Sequence, residues 1–195
     1  CRRMLRNDLA TRVDDVDVAV AEENAVLIRL RPRYGPPATS RIVTGALAGL
    51  LSTVPMSAAM LLMYRLLPRE ERYPLPPHQI TVEVAERVDQ EQLVDEPAEV
   101  AVATGAAHFG YGAAAGSLYA LTAARMPLPS AVKGAAFSLF VWAGSYLGWL
   151  PAVGLLPPAT EHPPRRTLLM ILAHLVYGAT LGVLVARFGG DASRR

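Results

Sequence analysis

Four long stretches without any charged side chain constrain this chain more than any other feature of its sequence. They cover residues 42–64, 100–124, 134–160 and 167–186, which is 23, 25, 27 and 20 residues. Roughly 20 residues of helix, at about 1.5 Å per residue, cross a bilayer core about 30 Å thick. We therefore predict an all-α membrane protein with four transmembrane helices, whose first partner is the lipid bilayer.

The composition supports this class of protein and excludes others. Of the 195 residues, 52% are hydrophobic and 18% are charged, which is unlike the composition of a disordered chain. The 19 basic and 17 acidic side chains nearly balance, so we expect no nucleic-acid partner. Cys1 is the single cysteine, and the chain can therefore form neither an internal disulfide nor a metal site built from thiolates.

Residues 1–40 form the predicted first domain, a small cytoplasmic α-β-β segment with a linker. Residues 2–13 place apolar side chains near helical spacing, and residues 16–20 and 25–31 have the patterns of two strands. This order is similar to half of a BON domain, a small envelope-associated module, and the resemblance implies a truncated copy. Because arginines follow Cys1 closely, we expect a truncated start rather than a lipid-modified N-terminus.

Residues 41–195 form the predicted transmembrane domain. Basic side chains near the ends of the four spans are distributed nine to six in favour of the side that carries both termini. Short loops rich in Lys and Arg stay in the cytoplasm. We therefore expect a multi-pass protein with both termini cytoplasmic.

Two of the spans share a motif. Residues 107–120 (AHFGYGAAAGSLYA) and 173–186 (AHLVYGATLGVLVA) are identical at eight of fourteen positions. The spans that precede them also begin alike, with VTGA at 43–46 and VKGA at 132–135. This internal repeat predicts two helical hairpins in the same membrane orientation, related by a pseudo-two-fold axis along the membrane normal.

The shared motif also carries the candidate functional residues. His108 and Tyr111 lie on one helix stripe, and His174 and Tyr177 occupy the equivalent positions of the other. Because an imidazole in hydrocarbon needs a polar partner, we predict a paired intramembrane His/Tyr centre that faces protein. Small residues let helices approach closely in membranes, and the glycines predicted to do so are Gly45, Gly49, Gly112, Gly116, Gly144, Gly148, Gly178 and Gly182.

The residues leave three classes of function open. The first is a structural or envelope-accessory bundle whose centre responds to pH, since imidazole titrates near neutral pH. The second is a small transporter or channel, a homo-oligomer such as a dimer, that uses His108 and His174. The third is a membrane protein with a His-ligated haem or metal. No carboxylate pair or activated nucleophile lies within the spans, so we predict no enzyme, no cofactor and no particular small-molecule substrate.

Several segments resemble one known family. They are LPPHQIT at 75–81, HFGYG at 108–112, WAGSY at 142–146, PAVG at 151–154 and AHLVYG at 173–178. Over about residues 42–187 the chain resembles the YagU-like inner-membrane proteins of bacteria, a domain of unknown function. The resemblance implies a protein of the bacterial cytoplasmic (inner) membrane without an assigned reaction, and it does not extend to the N-terminal segment.

Overall fold

A computed structural model describes residues 37–90, 92, 94–124 and 126–189. Every regular element in this part of the chain is helical, and the α-β-β segment predicted within residues 1–40 lies outside it, except that residues 38–40 begin a helix. The five longer helices of the described part are α1 (Ala38–Leu66), α2 (Pro76–Arg87), α3 (Pro97–Thr122), α4 (Ser130–Gly144) and α5 (Pro164–Phe188).

Proline and side-chain capping fix where three of the helices begin. Pro76, Pro97 and Pro164 stand in the first turn of α2, α3 and α5, where the missing N–H costs no helical hydrogen bond. At the start of α3, the side chains of Glu96 and Glu99 each accept a hydrogen bond from the other residue's backbone N–H. Residues next to these three helix starts therefore determine where the helices begin.

Glycines bring α1 and α3 into backbone contact. A methyl group on Gly45 would overlap the carbonyl oxygen of Gly116, and one on Gly49 would overlap the carbonyl oxygen of Gly112. The reverse also holds, because a Cβ on Gly116 would lie 2.8 Å from the Cα of Gly49. Any larger residue would therefore force the two helices apart.

Glycines play the same part between α4 and α5. A methyl group on Gly134 would overlap the carbonyl oxygen of Gly178, and one on Gly182 would overlap that of Ser130. Gly144 and Gly148 lie away from this contact, since a Cβ at either position would meet no atom within 4 Å. The sequence motif indicates Gly178 and Gly182 as packing residues, and the structure adds Gly134 as the residue they pack against.

The two helix pairs join along only one side. α1 packs closely against α5, whereas the backbones of α3 and α4 come close at few points and these two helices meet through side chains such as Tyr119 and Phe137. A closed bundle with exact two-fold symmetry would make both contacts equally, so the backbones of α3 and α4 stand farther apart, and we call the space between them on the side of α2 the gap. This gap decides where the candidate site opens.

Within the described part of the chain, two helices, α1 and α5, are long and apolar enough to cross a membrane. The other two predicted spans differ from them for physical reasons. α3 has 26 residues, but much of it is Ala and Gly, with His108 and Tyr111 in its middle. α4 has 15 residues before its regular geometry changes at Ser145, which is shorter than the roughly 20 residues that a span requires.

Arginines fasten the connecting segments at the end of the bundle that carries α2. Arg87 on α2 donates to the carbonyl oxygens of Val153 at 2.6 Å and Gly154 at 2.8 Å. Arg166 in the first turn of α5 donates to three carbonyl oxygens in residues 71–74 at 2.8 to 2.9 Å. The segments that follow α1 and α4 therefore meet at one end.

Basic side chains close the opposite end in a similar way. Arg41 in α1 donates to the carbonyl oxygens of Ala120 and Leu121 at the end of α3. Lys133 in α4 donates to the carbonyl oxygen of Ala124 at 2.7 Å. Cations are favourable at helix C-termini, where carbonyls lack partners, so these contacts hold the start of α1, the end of α3 and the start of α4 together.

Candidate functional site

A cavity of about 190 Å³ lies among the five helices, in the half of the bundle that adjoins α2. All four residues of the predicted His/Tyr centre line it: His108 and Tyr111 from α3, and His174 and Tyr177 from α5. His108 stands eleven residues after the first residue of α3, and His174 stands ten after the first residue of α5. At about 1.5 Å per residue, both are roughly 15 to 17 Å along their helices.

His174 and Tyr177 are buried and each has a backbone partner. The imidazole Nδ1 of His174 lies 2.7 Å from the carbonyl oxygen of Met170, and since a carbonyl only accepts, Nδ1 carries the proton. The hydroxyl of Tyr177 donates to the carbonyl oxygen of Gly112 at 2.6 Å. The predicted partner of the histidine, the tyrosine one turn away, is thus bonded elsewhere, and its hydroxyl ties α5 to α3.

His108 and Tyr111 are less completely bonded. The Nε2 of His108 is buried and has no hydrogen-bond partner among the described residues. The hydroxyl of Tyr111 lies 3.3 Å from the Oγ of Ser145, and the side chain is 49% exposed. The two halves of the centre therefore differ: in the α5 half Nδ1 of His174 and the hydroxyl of Tyr177 have backbone partners, and in the α3 half the buried Nε2 of His108 has none among the described residues.

The segment after α4 supplies an aromatic wall that the His/Tyr motif does not predict. Ser145, Tyr146 and Trp149 line the cavity. The indole N–H of Trp149 points to the Oγ of Ser145 at 3.3 Å, and the ring of Tyr146 meets the ring of His174 edge to face, with centroids 6.0 Å apart. The only sequence signal for this wall is the concentration of aromatic residues at 142–149, which is equally typical of an interfacial belt.

Two breaks in helix regularity border the cavity. Pro55 interrupts α1 between the lining residues Thr53 and Met56, since proline removes a helical hydrogen bond. Beyond Gly144, the helix widens into a π-type turn at Ser145–Trp149, a feature frequent at functional sites.

The chemistry that the lining offers is hydrogen bonding and apolar contact. None of the described residues that line the cavity is Asp, Glu, Lys or Arg. Within residues 37–90, 92, 94–124 and 126–189, no group of three or more His, Cys, Asp or Glu side chains is placed to hold a metal ion. Charged ligands would therefore lose hydration there without a compensating ion pair.

A second cluster lies outside the cavity, where the connecting segments meet α5. The guanidinium of Arg166, a buried side chain, stacks on the ring of Tyr73 at 3.5 Å from its centroid. The hydroxyl of Tyr73 lies 3.1 Å from Nδ1 of His162. Burial lowers the pKa of His162, and the nearby charge of Arg166 lowers it further. The sequence motifs gave no indication of this cluster.

These features define a class: a helical protein with membrane-compatible helices and a His/Tyr-lined internal cavity. Residues 63–183 match the family described as "Protein of unknown function (DUF1440)". The chain belongs to this family, and the predicted resemblance to YagU-like proteins is confirmed. No curated protein and no solved structure matches the chain significantly.

Proposed function

We propose that the chain is an integral protein of the bacterial inner membrane and that α1, α3, α4 and α5 all cross the bilayer. Each of these helices exposes large apolar side chains, such as Val43, Val102, Phe140 and Leu168, which are 52%, 73%, 78% and 53% exposed. Soluble monomers rarely expose large apolar patches, whereas a lipid-facing surface consists of them. The helix that contains Ser130–Ala152 is long enough to span once its irregular turn is included.

The contacts at the two ends of the bundle support four crossings with both termini in the cytoplasm. Arg87 and Arg166 hold the segments after α1 and α4 together at one end, and Arg41 and Lys133 hold the connection from α3 to α4 at the other. The basic side chains of the sequence favour this second end as the cytoplasmic one.

Cysteine labelling tests this topology. After replacement of Cys1 by Ser, we introduce Glu70→Cys or Met126→Cys, at exposed positions of the two opposite ends. An impermeant maleimide should label the first variant in intact cells and the second only after permeabilisation. Labelling of both in intact cells, or the reverse order, would contradict the proposal.

We further propose that the cavity binds a small molecule and that the His/Tyr centre is its polar end. The observation that carries this is His108, whose buried Nε2 has no partner among the described residues. An unsatisfied buried polar atom costs about 1 to 3 kcal/mol. A bound molecule that offers Nε2 of His108 a hydrogen bond removes this cost.

Native mass spectrometry of the protein purified in mild detergent tests this site. The wild type should retain a non-covalent mass that Ala115→Phe, which fills the cavity lining, loses. Ala114→Phe, on the exposed side of the same helix turn, is the matched control and should keep it. Absence of any bound mass in all three proteins, with equal stability, would favour the structural, pH-responsive bundle. A Soret absorbance band would instead assign a haem protein.

A further inference from the structure

The shape and lining of the cavity restrict what it can bind. Resting on the proposed function, we infer that the cavity takes the ring-sized head group of an uncharged, lipid-soluble molecule, which enters sideways from the bilayer through the gap between α3 and α4. The head group carries hydroxyl or carbonyl oxygens, as quinones, quinols and phenols do.

The size of the cavity sets the size of the head group. A protein cavity of roughly 150 Å³ lined by apolar side chains binds benzene. The present cavity, at about 190 Å³, therefore has room for one substituted six-membered ring. A long acyl or prenyl tail does not fit inside and has to extend out of the cavity.

The lining sets the chemistry of the head group. When the histidines are neutral, none of the described lining residues carries a charge. An ionised phosphate or carboxylate would therefore be buried without a counter-charge. In the neutral ring of His174, Nε2 is an acceptor, since Nδ1 donates to Met170. A quinol or phenol hydroxyl can therefore donate to it, whereas a quinone carbonyl has to accept a hydrogen bond from Tyr111 or His108. The unpartnered Nε2 of His108 is available to bond a second oxygen, and the hydroxyl of Tyr111 can exchange its 3.3 Å contact with Ser145 for one with the head group.

The openings of the cavity set the route. On the side toward the connecting segments, Pro77, Ile80 and Thr81 of α2 form part of the wall. Between α3 and α4 the described backbones come close at few points. The 3.3 Å contact of Tyr111 with Ser145 crosses this gap, and the lining side chains Tyr111 and Trp149 are 49% and 46% exposed. In the proposed topology this side faces lipid, so the tail can remain in the bilayer while the ring is inside.

Intrinsic fluorescence provides the measurement, because both tryptophans of the chain lie at the site. Trp149 lines the cavity, and Trp142 stacks on Tyr146, which also lines it. The probe is a decyl-substituted dimethoxy-methyl-benzoquinone, which quenches indole fluorescence, titrated into the full chain in lipid nanodiscs. We expect saturable quenching of the wild type.

Two adjacent alanines provide a variant and its control. Ala107 lines the cavity and is exposed, and Ala106 is exposed but does not line it. Ala107→Phe should obstruct the opening and weaken probe binding about tenfold or more, and Ala106→Phe should bind as the wild type does. Since both positions are exposed, both variants should fold, which their melting temperatures check. Equal binding by the two variants would overturn the inference.

Two competitors test the chemical class. The same quinone without its decyl tail should bind at least about tenfold more weakly, because it loses the burial of the tail against the helices and lipid. Dodecyl phosphate should not displace the probe, and displacement would overturn the inference. A co-purified charged molecule that Ala115→Phe loses would overturn this inference but leave the proposed function standing. Absence of both quenching and a co-purified molecule would overturn both.

Discussion

The two halves of the bundle contain the same four long helices but pack them in opposite ways. In the half that holds the start of α1, helices meet backbone to backbone at Gly45, Gly49 and Gly134. In the half that adjoins α2, the same helices surround the cavity. Pro55 in α1 and the π-type turn that follows Gly144 both lie beside the cavity. The comparison teaches that close packing at one end of the helices can hold the side chains around a cavity at the other end in place.

The glycine-packed half should be the more sensitive to an added methyl group. We expect Gly134→Ala to lower the free energy of unfolding by about 3 kcal/mol, because its Cβ would overlap the backbone of α5. Gly110→Ala is the control, since a Cβ there meets no atom within 4 Å. That variant should gain about 0.5 to 1 kcal/mol from helix propensity. Thermal unfolding in detergent measures both, and equal losses would remove the distinction between packed and open glycines.

Arg166 should stabilise the end of the bundle that adjoins α2, because its guanidinium holds the connecting segment at residues 71–74 in place. Arg166→Met leaves three carbonyl oxygens without this donor, and we expect a loss of about 2 kcal/mol. Arg165→Met changes the exposed neighbour and should cost little. Hydrogen exchange of residues 71–74, faster in the first variant only, would locate the effect. Unchanged exchange would mean that the segment is held by other contacts.

Tyr177 ties α5 to α3 beside the cavity through the carbonyl of Gly112. We expect Tyr177→Phe to cost about 1 kcal/mol, which is the usual net value of one buried hydrogen bond. Tyr111→Phe should cost less, because that hydroxyl makes a 3.3 Å contact from an exposed side chain. Chemical unfolding of both variants measures the difference. A larger loss for Tyr111→Phe would reverse the assignment of which hydroxyl is structural.

The smallest expected effect is that of His162 on how the melting temperature depends on pH. Because burial, and then Arg166, lowers the pKa of folded His162 below its ordinary value of about 6.5, folding favours the neutral ring. The stability that this contributes is complete above pH 6.5 and declines as the pH falls below it. His162→Gln should therefore reduce the fall in melting temperature between about pH 7 and 5. His78→Gln, on α2 and outside this cluster, serves as the control, and an equal change in both would contradict the assignment.

The sequence by itself determined the family and the helical character of the described chain. Charge-free runs at 42–64, 100–124 and 167–186 lie within α1, α3 and α5, apart from the last two residues of the second run. The motif also selected His108 and His174 as residues of one site. These features could be predicted because length, absence of charge and helical periodicity are local properties that survive in any packing.

Only the tertiary structure decided that these residues line a cavity and where it opens. Periodicity indicates which side of a helix faces protein, but it does not give the distance to the neighbouring helix. The π-type turn at Ser145–Trp149 and the wall formed by α2 therefore had no signature in the motif. The bonds of Arg166 to residues 71–74 join positions more than 90 residues apart, and contacts of that kind exist only once the helices have packed.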